Sequence, residues 1–215
     1  VRRLDARLGI IPCGKTMASL EASTSKRARP TRVIVVPNGD LLKAEEPFIC
    51  HQSNCTSKGA RGLAAAIFKR YREADCYKRR QPGRSVPGSI DVTECRSRPN
   101  FHIVALFGQY SPGKPKNGAN DNRTQRLRWF RDALDAFAAE CLSQRSGPHR
   151  VGMPYNIGCA LAGGHWPDYH KVIVEWAEVN DTVVRLYDLD GNSQNSAPGS
   201  ISSGGGADSG GSSGG

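Results

Sequence analysis

Two short stretches of this chain combine side-chain types at spacings suited to chemistry on a small ligand. The first, H-Q-S-N-C-T-S-K-G-A-R-G-L-A over 51–64, sets His51 and Asn54 within four residues and follows them with Lys58 and Arg61 among small residues. An imidazole with an unperturbed pKa of ~6.5 exchanges protons at neutral pH, so His51 is the candidate catalytic base or nucleophile toward a phosphate. The second, N-I-G-C-A-L-A-G-G-H-W over 156–166, carries Gly158, Gly163 and Gly164, which let backbone turn sharply and approach a ligand. Small Ala160 and Ala162 keep that approach open, and successive amides ahead of a helix make an anion nest. Each signal has a plainer reading. Glycines serve ordinary turns, an Asn caps nearby backbone, a His bonds a carbonyl, and long cations leave their heads in water. The Walker Lys-Ser/Thr pair and the G-x-G-x-x-G spacing are both missing, which excludes a P-loop NTPase and a dinucleotide-binding Rossmann fold.

For such loops to face a ligand, strands must deliver them and helices must receive them. The β-branched run R-V-I-V-V (32–36) reads as a strand ended by Pro37, Asn38 and Gly39, and P-F-I-C-H-Q (47–52) as a second. Gly59 to Tyr71 has helical spacing. F-H-I-V-A-L-F (101–107) is continuously apolar, as expected of a strand covered on both faces. Asn122 to Gln144 is the clearest helix, with Leu127, Phe130, Leu134, Phe137 and Cys141 on one stripe. A strand over 150–155, a helix over 166–179 with Pro167 at its start, and a strand over 182–189 complete the alternation. Interleaved strands and helices predict an α/β fold with a largely parallel sheet covered on both sides, and ligands in such sheets sit at the carboxyl ends of strands. Both loops are predicted to lie there.

The ends of the chain differ from its middle. The first 32 residues hold eight Lys or Arg against Asp5 and Glu21, and the last 25 hold nine Gly and eight Ser. We therefore expect a basic, disordered extension over 1–30, one folded domain over 31–190 and a disordered Gly/Ser tail over 191–215. The first Met is Met17, so residues 1–16 read as an upstream extension or a fragment edge. A formal net charge of +10 suits a polyanion, but a good half of it falls on the basic extension and no zinc finger or basic-aromatic alternation accompanies it. A modestly basic surface around an anionic small ligand is the favoured partner class, and nucleic acid is the disfavoured one. Seven cysteines without a C-x-x-C pair give neither a zinc site nor a disulfide rhythm, so no metal is expected and the thiols point to a reducing, intracellular compartment, cytoplasm or nucleus. No apolar run reaches the ~18 residues of a membrane helix, and no secretory h-region occurs.

The order G-D-L-L (39–42), H-Q-S-N-C (51–55), P-G-S-I-D-V (87–92), F-H-I-V-A-L-F-G-Q-Y (101–110) and M-P-Y-N-I-G-C-A-L-A-G-G-H-W (153–166) resembles a macrodomain. Its most specific part, I-G-C-x-L-A-G-G-x-W, is similar to the diphosphate loop of the ADP-ribose-1''-phosphate phosphatase-like and de-ADP-ribosylating branches. The resemblance implies a three-layer α/β/α fold with a mixed, largely parallel sheet. It implies that Asp40 accepts a hydrogen bond from the adenine amino group and that Asn54 contacts the distal ribose. Lys58, Gly59 and Gly62 fall in the loop beside that ribose, while Gly158, Cys159, Ala160, Leu161, Ala162 and Gly163 carry the diphosphate. Tyr155 and Asn156 fall on the adenosine side. Cys159 reads as a packed thiol rather than a nucleophile.

Departures bear on mechanism. The lysine that one hydrolase branch uses covalently is replaced by Phe107-Gly108-Gln109-Tyr110, and its acidic partner falls near Ala162, so that route is not supported. His51 matches the imidazole of the phosphatase-like branch. The carboxylate expected after the double glycine is His165, and Asp168 replaces it only if the next helix starts late. His102 and His170 read as structural, and His149 as loop. The expected function is binding of ADP-ribose, free or protein-linked, by a monomer without cofactor. Whether the chain is also a hydrolase on an ADP-ribose derivative stays open, and the alternative is a basic nucleic-acid-associated α/β protein with a degenerate pocket.

Overall fold

Continuous aliphatic runs and one well-capped amphipathic helix decide the architecture. A computed structural model describes residues 31–80, 83, 85–116, 120–191 and 193. The basic extension expected over 1–30 and nearly all of the tail expected over 191–215 lie outside the described residues. In chain order the elements are β1 (Val33–Pro37), β2 (Phe48–Asn54), α1 (Gly62–Arg70), β3 (Ile90–Glu94), β4 (His102–Gln109), α2 (Arg123–Phe137), β5 (His149–Pro154), α3 (Trp166–Val179) and β6 (Thr182–Asp188). They build one six-stranded sheet in the order β1-β6-β5-β2-β4-β3. All neighbours run parallel except β3, which pairs antiparallel with β4.

The central strands are apolar because both their faces are covered. Phe48, Cys50, Val104, Leu106, Val151 and Met153 pack with Phe130, Leu134, Phe137 and Trp176 of α2 and α3. Ile49, Ile103, Ala105 and Phe107 point the other way and pack with Ile67, Phe68 and Tyr71 from α1 and its end. Three layers follow from that alternation, as expected. Asn122 caps α2 by accepting from the Gln125 amide at 2.9 Å. Beyond Phe137 the helix passes into a π-helical turn, Ala138–Leu142, so the helix expected over 122–144 changes type near its end. The helix expected from Gly59 begins at Gly62, whose φ of +56° turns the chain into α1. The edge strand β3 is half-buried from Ile90 to Thr93 and exposed at Glu94, and its core side consists of Ile90 and Val92 alone, too short an alternation for its sequence to announce it.

One feature of the sheet creates room for a site. Adjacent β2 and β5 are laddered only at Phe48–Val151 and Ile49–Gly152. The rest of each strand runs on toward the loops 51–62 and 154–164 without that partner, leaving a fork at their carboxyl ends.

Candidate functional site

The fork opens into a cavity of about 680 Å³. One wall comes from the end of β2 and the start of α1, including His51, Asn54, Lys58, Gly59 and Arg61. The facing wall is Pro154 to Gly158 and Ala160 to Ala162. The two loops singled out in the sequence therefore meet across one space, of the size usual for a small-molecule site. Leu161, 63% exposed, reaches across the mouth, where a Cβ on Gly62 would stand 3.3 Å from its Cδ1.

The cavity floor is a chain of polar side chains that sequence reasoning missed. Gln52 Nε2 donates to Gln109 Oε1 at 2.9 Å, and Gln109 Nε2 donates to the Ser111 carbonyl at 2.8 Å. Behind them Arg126 of α2, 1% exposed, binds three separate segments. Its Nε and Nη2 hold Asp121 at 2.5 and 2.8 Å, while Nη1 donates to Gly113 O at 2.6 Å and Ala162 O at 2.9 Å. Nη2 also reaches Ser111 O at 3.2 Å. Burial alone would raise the Asp121 pKa, but the Arg126 hydrogen bonds outweigh it and hold the carboxyl below its ordinary value. The signal for Arg126 was present in the sequence, since it lies four residues before Phe130 on the buried side of α2.

His51 and Asn54 both line the cavity, and each is also engaged within the protein. Asn54 Oδ1 accepts from the amides of Thr56 at 3.1 Å and Ser57 at 2.7 Å, and its Nδ2 donates to Tyr77 Oη at 3.0 Å. It shapes its own loop while still lining the cavity. His51 is 1% exposed, with Nδ1 3.4 Å from Ser53 Oγ and its ring edge-on to Phe68. Burial pushes its pKa down to about 4, so the imidazole is neutral at pH 7 and a weak base. The unfolded chain then binds a proton that the folded one refuses between pH ~6.5 and about 4, and stability is lost as pH falls through that window. Thermal melts from pH 7 to 4.5 should show this loss, and His51→Gln should reduce its steepness. Parallel curves would place the titration elsewhere.

The remaining predicted residues divide. Gly158, Ala160, Leu161 and Ala162 line the cavity with Lys58 and Gly59, whereas Gly62, Cys159 and Gly163 do not. A Cβ on Gly163 would meet Lys114 and Pro115 at 3.1 Å, so a side chain there points away from the proposed diphosphate path. Cys159 Sγ donates to Ile157 O at 3.3 Å, and burial, with Asp168 beside it, pushes the thiol up to about 12. It is a packed thiol. Asp40 caps the short turn Leu41–Lys43 by accepting from the Leu42 amide at 2.9 Å, and it stands outside the cavity lining. Asp168 pairs with His165 at 3.1 Å on the exposed start of α3, and neither residue lines the cavity. Among the described residues that line the cavity, none is a carboxylate partner for His51.

No protein-family model matches the chain, and no curated protein matches it. Solved structures do. A protein of unknown function from Bacteroides thetaiotaomicron superposes with a TM-score of 0.59 at 22% identity, covering 75% of this chain and all of that one. The macrodomain of Mycobacterium tuberculosis DarG gives 0.55 at 19% identity, covering 73% of this chain and 96% of that one. A Trypanosoma brucei macrodomain solved in complex with ADP-ribose gives 0.53 at 10% identity, over 76% of this chain and 66% of that one. The fold is that of macrodomains.

Proposed function

We propose, with the macrodomain fold as the premise, that the forked cavity binds ADP-ribose, free or attached to a protein. One observation carries this reading: the glycine-containing loop after β5 and the cationic loop after β2 form opposite walls of a single cavity. A diphosphate suits the backbone of Gly158 to Ala162 with Lys58 and Arg61 at the rim, because amides and cations stabilise an anion without burying a countercharge. Uncharged sugar hydroxyls suit a neutral floor, which Gln52, Ser53, Asn54 and Gln109 supply. The adenosine falls toward Tyr155 and Asn156. The Trypanosoma brucei neighbour was solved with this ligand, which supports the choice.

Isothermal titration tests it. ADP-ribose should bind, and AMP should bind at least tenfold more weakly. Leu161→Glu should weaken ADP-ribose tenfold or more with little change in melting temperature, because the exposed side chain brings a negative charge to the mouth. Unchanged affinity in that variant would move the site elsewhere.

A hydrolytic reading gains less support, since His51 is buried, neutral and without a carboxylate partner among the described residues of the cavity. Turnover of ADP-ribose-1''-phosphate should be slow or absent. A rate that drops about 10²–10⁴-fold in His51→Ala, with ADP-ribose binding intact, would establish His51 as a base after all.

A further inference from the structure

Across the glycine loop from this cavity lies a second hollow of about 800 Å³. Its walls are Lys114 and Pro115, residues 122–125 at the start of α2, and Cys159, Ala160, Gly163 and Gly164. Ala160 lines both hollows, so one turn of backbone separates them.

The chemistry of this lining is one-sided. Lys114 and Arg123 come from different segments, both are exposed, and neither is ion-paired among the described residues. No Asp or Glu is among the described residues that line the hollow. Of the neighbouring carboxylates, Asp121 is held by Arg126, and Asp168, 3.1 Å from His165 Nδ1, stays outside the lining but close enough for its charge to act on Cys159. A Cβ on Gly163 would stand 3.1 Å from Lys114 Cγ, so the lysine stem lies close against the loop that separates the two hollows. Asn122, Thr124 and Gln125 add neutral hydrogen-bonding groups, although one α2 amide, that of Gln125, is already taken by Asn122. Aromatic side chains are missing from the described lining residues, which offer no platform on which a base would stack. Such a surface reads phosphate and leaves the base unread.

We propose that the second hollow is a phosphate site, which takes a phosphate group of a ligand continuing beyond the ADP-ribose in the main cavity. The continuation rests on the ADP-ribose reading above, whereas the phosphate chemistry rests on Lys114 and Arg123. Two cations unpaired among the described residues, facing a hollow whose described lining holds no carboxylate, favour an anion there, and the shared Ala160 makes the two sites contiguous.

The test is titration calorimetry on the full chain with ADP-ribose, a two-unit ADP-ribose oligomer and inorganic diphosphate. Wild type should bind the oligomer at least tenfold more tightly than ADP-ribose. The double variant Lys114→Gln, Arg123→Gln should lose that gain, keep its ADP-ribose affinity within about twofold, and show a salt dependence for the oligomer shallower by about 1–2 in log–log slope. The double variant Lys43→Gln, Lys69→Gln, the same charge change at two exposed lysines outside both hollows, should alter none of these values. An oligomer that binds no tighter than ADP-ribose, or a gain that survives in the double variant, would overturn the proposal. Diphosphate binding that the double variant abolishes, without any gain for the oligomer, would assign the hollow to free anions and overturn the continuation. If ADP-ribose fails to bind while Lys114 and Arg123 still capture diphosphate, the main-cavity reading falls and the phosphate site is supported.

Discussion

Replacing Arg126 with alanine should cost about 3–5 kcal/mol of stability, because it leaves Asp121 without its cation and strands the Gly113 and Ala162 carbonyls, while Ser111 O keeps only the Gln109 donor. For a domain of this size that is a fall in melting temperature of about 10 °C. ADP-ribose affinity should fall with it, since Gly113 O and Ala162 O are carried by the two segments that Arg126 ties together beside the cavity. The comparison is Arg128→Ala on the same helix. Arg128 is exposed and 4.0 Å from Asp132, a surface pair worth at most about 0.5 kcal/mol. Chemical denaturation of both variants decides the matter. Equal midpoints would mean that Arg126 is replaceable by water and that the loops stand without it.

The second large effect is expected at Gly158. Its φ is +74°, and an added Cβ would stand 2.4 Å from Tyr169 Cε1 and 2.5 Å from Gln52 Oε1. Gly158→Ala must therefore strain the backbone, at about 1–2 kcal/mol, and push aside either the α3 tyrosine or the cavity-floor glutamine, at about 1–3 kcal/mol more. ADP-ribose binding should drop at least tenfold because the loop can no longer lie where it does. Gly59→Ala should do neither, since nothing lies within 4 Å of its added Cβ. Matching melting temperatures for the two variants would show that loop 156–164 yields freely and that Gly158 is an ordinary turn residue.

Legibility of the fold followed burial on both faces. β4 is apolar and buried along nearly its whole length, and α2 carries its stripe through Phe130, Leu134 and Phe137, so both were readable from pattern alone. β3 was not, because its apolar face is only Ile90 and Val92, too short an alternation to stand out from the turn residues before it. The site divides the same way. The loops 51–62 and 156–164 announce themselves by small residues and a His–Asn spacing. Gln52 acts on Gln109, 57 residues away, and Arg126 on the Ala162 carbonyl, 36 residues away, and no local spacing records bonds of that reach. His51 has the residue type of a base, but its burial beside Phe68 removes the ordinary pKa on which that inference depends.

The sheet order has a consequence for how the chain is made. Among the described residues β1 pairs with β6 alone, Val33 lying opposite Val184. A ribosome delivers Val33–Pro37 long before Thr182–Asp188, so the aliphatic run V-I-V-V-P must wait, unpaired, for almost the whole of the domain to be synthesised. An unpaired apolar strand is a template for wrong partners, and a long loop must close before the correct one is reached. The first strand of this domain is thus the last to find its place, and nascent chains are most in need of a chaperone's shelter during that interval.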